Sequence, residues 1–202
     1  MTRIILARHG ETVWHKENRY AGSSDVALTP RGTAQARALA AWAGIQKLDA
    51  VVTSDLARAI ATAQPAAAES GRELRQDARL RELHFGHAEG LTAAEIRQAY
   101  PGIYESFLTD PELHHLPGGE SPPDAAARGL EALEEICTAH PEGRVLVVAH
   151  STLIRLLLCS FLGIPLRHYR RVFPKLLNCA LTELEFTPGQ ASLLYFNAPL
   201  PS

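Results

Sequence analysis

Two histidines occupy matching places in the sequence, each directly after a short apolar run. His9 follows a run that ends at Ala7 and lies in the motif Arg-His-Gly-Glu-Thr of residues 8–12. His150 follows another run and begins the triplet His-Ser-Thr of residues 150–152. A neutral imidazole can act as a nucleophile, and imidazole and guanidinium N–H groups can hydrogen-bond to anionic oxygens. The two motifs therefore carry groups suited to chemistry on an anionic substrate.

A further cation stands just after a third apolar run. The stretch of residues 54–58, Ser-Asp-Leu-Ala-Arg, places Arg58 on the first turn of the helix expected there. Taken singly, a histidine at a strand end is more often structural, and an arginine on a first helical turn is usually solvated. Together, Arg8, Arg58 and the two histidines would form a strongly positive pocket, to which helix N–H groups at Ser151 would add. Such a pocket suits a tetrahedral dianion.

The apolar runs at residues 3–7, 50–53 and 145–149 are the strands that must position these groups. They are nearly continuous instead of alternating, which is typical of strands buried on both faces. Each is followed by a helix-like stretch, so the sequence predicts an α/β fold, a three-layer α/β/α arrangement with a mostly parallel central sheet and helices on both faces. In such sheets ligands bind beyond the carboxyl ends of the strands, where both histidines lie.

Capping residues and helix breakers predict the other elements. Helices are expected from Thr29-Pro30 to about residue 43, from Ser54-Asp55 to about residue 69, and from Ser121 to about residue 140. Residues 153–162 predict a buried helix, and the runs 179–186 and 192–196 predict a terminal hairpin around residues 187–190. Between about residues 83 and 123, glycines and prolines predict short helices and loops, with a capping box at Thr92 and Glu95. We expect a single domain, 1–202, with a substrate-facing insertion at about 83–123.

The charge balance and the cysteines exclude several classes of protein. Lys and Arg total 20 and Asp and Glu total 22, which gives no general footprint for nucleic acid or an anionic membrane. Cys137, Cys159 and Cys179 are far apart and odd in number, as expected of reduced cysteines and not of a disulfide scaffold or zinc site. The first apolar run is too short for an export signal, and no run reaches the roughly 18–20 residues that cross a bilayer. We therefore expect a cytoplasmic protein.

An ordered set of motifs resembles the histidine phosphatase superfamily, also called phosphoglycerate mutase-like. An Arg-His-Gly tripeptide alone would be a weak signal, but the further motifs follow in the family's order. They are Leu-Thr-Pro-Arg-Gly (28–32), Ser-Asp-Leu-Ala-Arg (54–58) with Thr62, Leu-Arg-Glu-Leu (80–83) with Phe-Gly (85–86) and Glu-Gly (89–90), Pro-Gly-Gly-Glu-Ser (117–121) and Val-Val-Ala-His-Ser (147–151). The resemblance covers about residues 3–165.

The resemblance implies a role for each of five catalytic residues. His9 would attack phosphorus and form a phosphohistidine, which divides one difficult displacement into two easier steps. Arg8, Arg58 and His150 would hold the phosphoryl oxygens. Glu82 would protonate the leaving alkoxide and then activate water, a role that requires it to be protonated when substrate binds. Leu80, Leu83 and Phe85 are placed to desolvate its carboxyl group, although the charge of a bound phosphate would favour the protonated form more.

The substrate contacts are expected at Thr12, His15, Gly22 and Ser151. Two positions depart from the family pattern, since His15 stands where many relatives have Asn and Ala21 where many have Gln. Both departures concern substrate contacts and leave the catalytic set intact.

The resemblance leaves three functions open. The first is a metal-independent phosphomonoester hydrolase that acts on a small phosphorylated metabolite and needs no cofactor, because cationic side chains supply what Mg²⁺ supplies elsewhere. The second is a cofactor-dependent phosphoglycerate mutase, which must grip a second anionic group; between residues 83 and 127 the sequence offers only Arg97 for that. The third is a catalytically idle phospholigand-binding protein, which would be expected to lack His9 or Glu82. A zinc site at the paired histidines 84 and 87 or 114 and 115 lacks the usual spacing. The sequence leaves the oligomeric state open, a homodimer included.

Overall fold

The computed structural model describes residues 1–187 and 190–200. Six strands and seven α-helices follow one another along the chain, with short 3₁₀ turns between some of them. In chain order they are β1 (Thr2–Arg8), α1 (Pro30–Gly44), β2 (Ala50–Thr53), α2 (Ala57–Glu69), β3 (Leu74–Gln76), α3 (Ala93–Ala99), α4 (Ile103–Thr109), α5 (Pro122–Ala139), β4 (Arg144–Ala149), α6 (Ser151–Phe161), α7 (Tyr169–Val172), β5 (Leu181–Thr187) and β6 (Gln190–Ala198).

The strands form one mixed sheet in the order β3-β2-β4-β1-β5-β6. Strands β3, β2, β4 and β1 are parallel neighbours, whereas β5 and β6 are antiparallel and occupy one edge. The predicted α/β class with a mostly parallel sheet is therefore confirmed. Since β1, β2 and β4 run in the same direction, their carboxyl ends meet at one edge of the sheet.

Side chains of the central strands are buried on both faces of the sheet. On β1, Ile4 and Leu6 pack into one hydrophobic cluster with α5 and α6, and Ile5 and Ala7 pack into a second with α1 and α2. All four are at most 1% exposed. This burial explains why the strand sequences are continuously apolar, and it produces the predicted three layers.

The helix ends show local capping of the kind that the sequence predicts. The Thr29 hydroxyl accepts a hydrogen bond from Gly32 N at 3.0 Å, and the Ser121 hydroxyl accepts one from Asp124 N at 3.2 Å. Helix α2 differs, because Leu56 is its N-cap and Ser54 Oγ accepts from Leu56 N instead of capping the helix directly. Thr92 and Glu95 form the predicted capping box of α3.

The last two strands begin at different residues from those predicted. Strand β5 begins at Leu181 and not at residue 179, because Cys179 has a positive φ of 57° and donates its N–H to Arg8 O at 2.8 Å. Strand β6 extends beyond the predicted residues 192–196 at both ends. The hairpin is present, but residues 188 and 189 of its predicted turn lie outside the described part of the chain. Strand β3 and helix α7 were not predicted, since both are too short to show a period.

Among the described residues, no helix combines the length and the apolarity that a bilayer span requires. All described strands belong to one sheet. That residues 1–202 form a single domain stays a prediction.

Candidate active site

A cavity of about 430 Å³ opens at the carboxyl ends of β1 and β2, against the start of α6. Its wall combines cationic, aromatic and hydroxyl-bearing side chains. They are Arg8, His9, Thr12, His15, Asn18, Arg19, Tyr20, Ala21, Gly22, Arg58, Glu82, Phe85, Thr152, Arg155 and Arg170. Four of the five predicted catalytic residues line the cavity, and the fifth, His150, packs against His9 at 5.1 Å between ring centroids.

His9 is held with one ring nitrogen available. Its Nδ1 lies 2.7 Å from Gly10 O, and a carbonyl oxygen can only accept, so Nδ1 carries the proton and Nε2 keeps its lone pair. Its backbone N–H donates to Ala149 O at 3.0 Å, and Asn178 Nδ2 donates to its carbonyl at 2.7 Å. Burial, followed by repulsion from Arg58 and Arg8, lowers the pKa of His9 well below its ordinary value. The imidazole is therefore neutral, as a nucleophile must be.

His150 is fully buried, and neither of its ring nitrogens has a hydrogen-bond partner among the described residues. Burial and then repulsion from Arg58 lower its pKa well below the ordinary value. The positive charge of the cavity therefore comes from its arginines. The sequence predicted that the two histidines would add positive charge, and their lowered pKa values exclude this. His150 can still donate one N–H to an anion in its neutral form.

Arg58 is 1% exposed and is fixed by backbone oxygens. Its Nη1 donates to Ser24 O at 2.7 Å and its Nη2 to Gly22 O at 2.6 Å, whereas its Nε has no partner among the described residues. Burial is the main cause that lowers its pKa, and the nearby Glu82 carboxylate opposes the shift. Within the described part of the chain no carboxylate lies within 4.0 Å of it, so an anion in the cavity would be its counter-charge.

The loop that fixes Arg58 is itself fixed by Glu89, a contact that the sequence did not reveal. The two carboxylate oxygens of Glu89 accept from the backbone N–H and the hydroxyl groups of Ser23 and Ser24 at 2.6–3.2 Å. Gly22 has a φ of +48°, and a Cβ there would overlap the Glu89 carboxylate. This explains why Gly22 is required, since it lets the loop close on Glu89 and point its carbonyl at Arg58.

Replacing Glu89 by alanine is expected to cost about 2–4 kcal/mol of stability, because several partly buried donors lose their acceptor. We also expect kcat/KM to fall by about tenfold or more, since the Arg58 guanidinium loses its fixed position. Urea unfolding and phosphatase kinetics measure the two effects. Glu131→Ala, at an exposed glutamate of α5, is the matched control. An intact kcat/KM in Glu89→Ala would show that Arg58 does not depend on this loop.

Arg8 is half-buried, and it too has no carboxylate partner among the described residues. Its Nη1 donates to Leu176 O at 2.8 Å, and its Nε has no partner among the described residues. Burial lowers its pKa to about 10, so it remains charged at neutral pH. Its Nη2 contacts Nε2 of His15 at 2.6 Å.

The contact with Arg8 sets the tautomer of His15. A guanidinium can only donate, so His15 Nε2 accepts, and Nδ1 carries the proton 2.8 Å from Thr12 Oγ1. This charge-assisted contact outweighs the competing Thr12 N–H, 3.0 Å from the same Nδ1. Burial and repulsion from Arg8 lower the pKa of His15 to about 4. His15, the departure from the family pattern, is thus a neutral acceptor that orients Arg8.

The lowered pKa of His15 predicts a loss of stability in acid. Below pH 6.5 the unfolded chain takes up a proton at this residue, and the folded chain does so only near pH 4, so falling pH favours unfolding within this window. Allowing for solvent screening, we expect His15 to account for about 1–2 kcal/mol between pH 7 and pH 4. Denaturant unfolding of wild type and His15→Asn across this range measures the difference. Parallel stability curves for the two proteins would contradict the assignment.

Glu82 lies opposite the arginines and is 8% exposed. Its carboxylate accepts three backbone N–H groups, from Leu83 at 2.9 Å and from Thr152 and Leu153 at 3.0 Å. The last two belong to the first turn of α6, which favours negative charge. These three hydrogen bonds fix the position of the carboxylate in the cavity wall.

Arg128 on α5 positions the backbone of Glu82. It donates to the carbonyl oxygens of Arg79, Arg81 and Glu82 at 2.6–3.1 Å, and it makes a two-point ion pair with Glu120. Sequence inspection missed it because an arginine on an amphipathic helix is ordinarily solvated.

The predicted substrate-contact residues divide into two groups. Thr12, His15 and Gly22 line the cavity, whereas Ser151 begins α6 without lining it and its neighbour Thr152 does. From the segment 83–123, Phe85 lines the cavity. Residues 18–22, α6 and α7 supply other parts of the wall.

Arg155 and Arg170 are cavity residues that sequence inspection did not assign. Arg155 was noticeable as a lone cation within the apolar run of α6. Arg170, next to Arg171, offered no signal that would have distinguished it from a solvated residue. Among the described residues, no group of three or more His, Cys, Asp or Glu side chains could hold a metal ion.

Comparison with known proteins identifies the family. The model of the histidine phosphatase superfamily (branch 1) matches residues 4–199. "Probable phosphoglycerate mutase GpmB" of Serratia proteamaculans is 36% identical over 186 residues, 92% of this chain and 85% of the relative. "Putative phosphoserine phosphatase 2" of Hydrogenobacter thermophilus is 30% identical over 197 residues, 98% of this chain and 96% of the relative.

A solved structure shows the same architecture. The mycobacterial glucosyl-3-phosphoglycerate phosphatase Rv2419c in complex with VO3 superposes with a TM-score of 0.89 at 33% identity, covering 98% of this chain and 99% of that one. Fold, motifs and relatives agree, and the chain is a histidine phosphatase that belongs to branch 1 of the histidine phosphatase superfamily.

Proposed function

We propose that this protein is a metal-independent phosphomonoester hydrolase that acts on a small phosphorylated metabolite through a covalent phosphohistidine. The observation that carries the proposal is the neutral His9, whose Nε2 lone pair is free in a cavity lined by Arg8 and Arg58. A neutral nucleophile between fixed cations is the arrangement that in-line attack on a phosphate dianion requires.

In the first step His9 Nε2 forms a bond to phosphorus while the ester P–O bond breaks. Arg8 and Arg58 bind the phosphoryl oxygens, and His150 donates its one N–H. The positive charge that develops on His9 is stabilised by Gly10 O, which accepts from Nδ1. Glu82 in its protonated form gives its proton to the departing alkoxide, so the product leaves as a neutral alcohol.

In the second step the Glu82 carboxylate takes a proton from water, and the hydroxide forms the new P–O bond as the P–N bond breaks. Inorganic phosphate leaves, and His9 returns to its neutral form. The three N–H groups on Glu82 support its anionic state at this stage. Glu82 therefore acts as an acid in the first step and as a base in the second.

The mutase is kept as a second candidate because relatives from several bacteria carry that name and because Arg155 and Arg170 line the cavity. The shortage of cations in residues 83–127 argued against the binding of a second anionic group, as a mutase requires. Arg155 and Arg170 lie outside that segment and could bind such a group. The idle binding protein is disfavoured, since His9 and Glu82 are both present in reactive surroundings.

The decisive experiment follows phosphate release and isomerisation together in excess EDTA. An aryl phosphate and 3-phosphoglycerate are incubated with the protein, and ³¹P NMR separates inorganic phosphate from 2-phosphoglycerate. We expect phosphate from both substrates and its absence with His9→Ala. Formation of 2-phosphoglycerate without phosphate would establish the mutase instead, and loss of turnover in EDTA that Mg²⁺ restores would overturn metal independence.

A further inference from the structure

Arg155 and Arg170 form a second cationic group in the wall of the cavity, separate from the residues that would hold the phosphoryl group. Arg155 comes from the second turn of α6 and Arg170 from α7. The mechanism above uses neither of them. Both line the same cavity as His9.

Arg155 is poorly satisfied by the protein. Its Nε is buried without a hydrogen-bond partner among the described residues, and its Nη2 reaches Pro174 O only at 3.4 Å. No described carboxylate forms an ion pair with it. Burial lowers its pKa, and repulsion from Arg170 acts in the same direction.

Arg170 is held in place by aromatic rings while its terminal nitrogens stay free. Its Nε donates to the Tyr169 hydroxyl at 2.8 Å, and its Cζ lies 4.4 Å from the Phe107 ring centroid and 5.2 Å from that of Tyr169. These contacts fix the plane of the guanidinium. Its two terminal nitrogens make no hydrogen bond with other described residues, so they can donate to a ligand.

The charges of the cavity are unbalanced in favour of cations. Arg8, Arg58, Arg155 and Arg170 have no ion-pair partner in the described part of the chain, and Glu82 is the one carboxylate in the wall. A phosphoryl group would satisfy Arg8 and Arg58. Partly buried charges without partners are costly, so the remaining two arginines fit a second anion.

We propose that Arg155 and Arg170 form an anion-binding subsite that selects phosphomonoesters whose leaving alcohol carries a second anionic group, a carboxylate or a phosphate. This inference rests on the proposed function and names its substrate class. A guanidinium binds either group through two parallel hydrogen bonds. A cavity of about 430 Å³ matches a small metabolite that carries both anions.

The test compares matched substrates that differ only in the second anion. 3-Phosphoglycerate and glycerol 3-phosphate differ in one carboxylate, and propane-1,3-diol bisphosphate and its monophosphate differ in one phosphate. We expect wild type to prefer the anionic member of at least one pair in kcat/KM by about tenfold or more, as one or two charge-assisted hydrogen bonds would give. The pair that shows the preference identifies the anion.

Variants assign the preference to the two arginines. Arg155→Gln and Arg170→Gln should each lower the ratio of kcat/KM within the pair, toward one in the double variant, and Arg155→Lys should retain part of it. Arg171→Gln is the matched control, because Arg171 is exposed on the same short helix and does not line the cavity. A wild type without preference, or variants that slow both members of a pair equally, would overturn the subsite.

Failure of the proposed function would look different. If wild type released phosphate from no substrate, calorimetric binding of 3-phosphoglycerate and glycerol 3-phosphate would replace kinetics. Tighter binding of the carboxylate by wild type, lost in the double variant, would support the subsite without hydrolysis. Equal affinities for the two compounds in wild type, together with equal affinities for the bisphosphate and monophosphate, would reject it.

Discussion

Replacing His9 by alanine is expected to lower kcat/KM for every phosphomonoester by about 10⁴-fold or more, the loss seen when a covalent nucleophile is removed. The reason is geometric as well as chemical. His9 presents a neutral Nε2 at a fixed position, because Gly10 O holds Nδ1 and Asn178 holds its backbone. Steady-state kinetics measures the loss. Thermal unfolding shows whether the variant remains folded, and His114→Ala, at an exposed histidine, is the control.

The His9→Ala variant should also form no phosphoenzyme. A phosphohistidine has a P–N bond, which acid cleaves and alkali preserves, whereas phosphoserine behaves in the opposite way. Rapid quenching of wild type with a ³²P-labelled substrate should trap an alkali-stable label that His9→Ala lacks. A label that survives acid, or one that persists in His9→Ala, would place the covalent intermediate on another residue.

The core of this site could be predicted because it depends on strand ends. Continuous apolar runs indicated that β1 and β4 are buried parallel strands, and the place of His9 and His150 at the ends of these strands allowed them to meet at one edge of the sheet. Arg58 followed from the start of α2 by the same reasoning. These placements need only local periodicity and the direction of the strands, both of which a single sequence contains.

The supporting contacts could not be predicted because they depend on tertiary packing. Glu89 acts through a loop 65 or 66 residues away in the chain, and Arg128 acts on Glu82 across 46 residues. No local pattern distinguishes such residues from solvated charges. The same holds for Arg170, whose orientation is set by Phe107 of the segment 83–123.

The contact between Arg170 and Phe107 links the segment 83–123 to the cavity wall. Its side chains contribute Phe85 to the cavity wall, and its α4 supplies the ring on which Arg170 rests. The segment therefore contacts the cavity through Phe85 and supports Arg170 through Phe107. That the segment faces the substrate stays a prediction.

Replacing Glu82 by glutamine is expected to slow the cleavage of alkyl phosphates by about 10²–10⁴-fold in kcat/KM. Aryl phosphates, whose leaving groups depart without a proton, should lose about tenfold or less. The parameter kcat/KM reports the steps up to cleavage of the ester, so it isolates the role of Glu82 as acid. An alkyl and an aryl phosphate are compared in wild type, Glu82→Gln and Glu134→Gln, the last at an exposed glutamate of α5.

The role of Glu82 as a base predicts a second effect of the Glu82→Gln substitution. With an aryl phosphate, His9 should still be phosphorylated in Glu82→Gln, but water would attack the phosphohistidine slowly. Stopped-flow measurements should therefore show a burst of aryl alcohol equal to the enzyme concentration, followed by a slow steady state. Equal losses of kcat/KM on alkyl and aryl substrates would remove the acid role, and a missing burst with slow turnover would remove the base role. The two roles form one proton cycle, because the proton that Glu82 gives to the alkoxide in the first step is replaced by the one that it takes from water in the second.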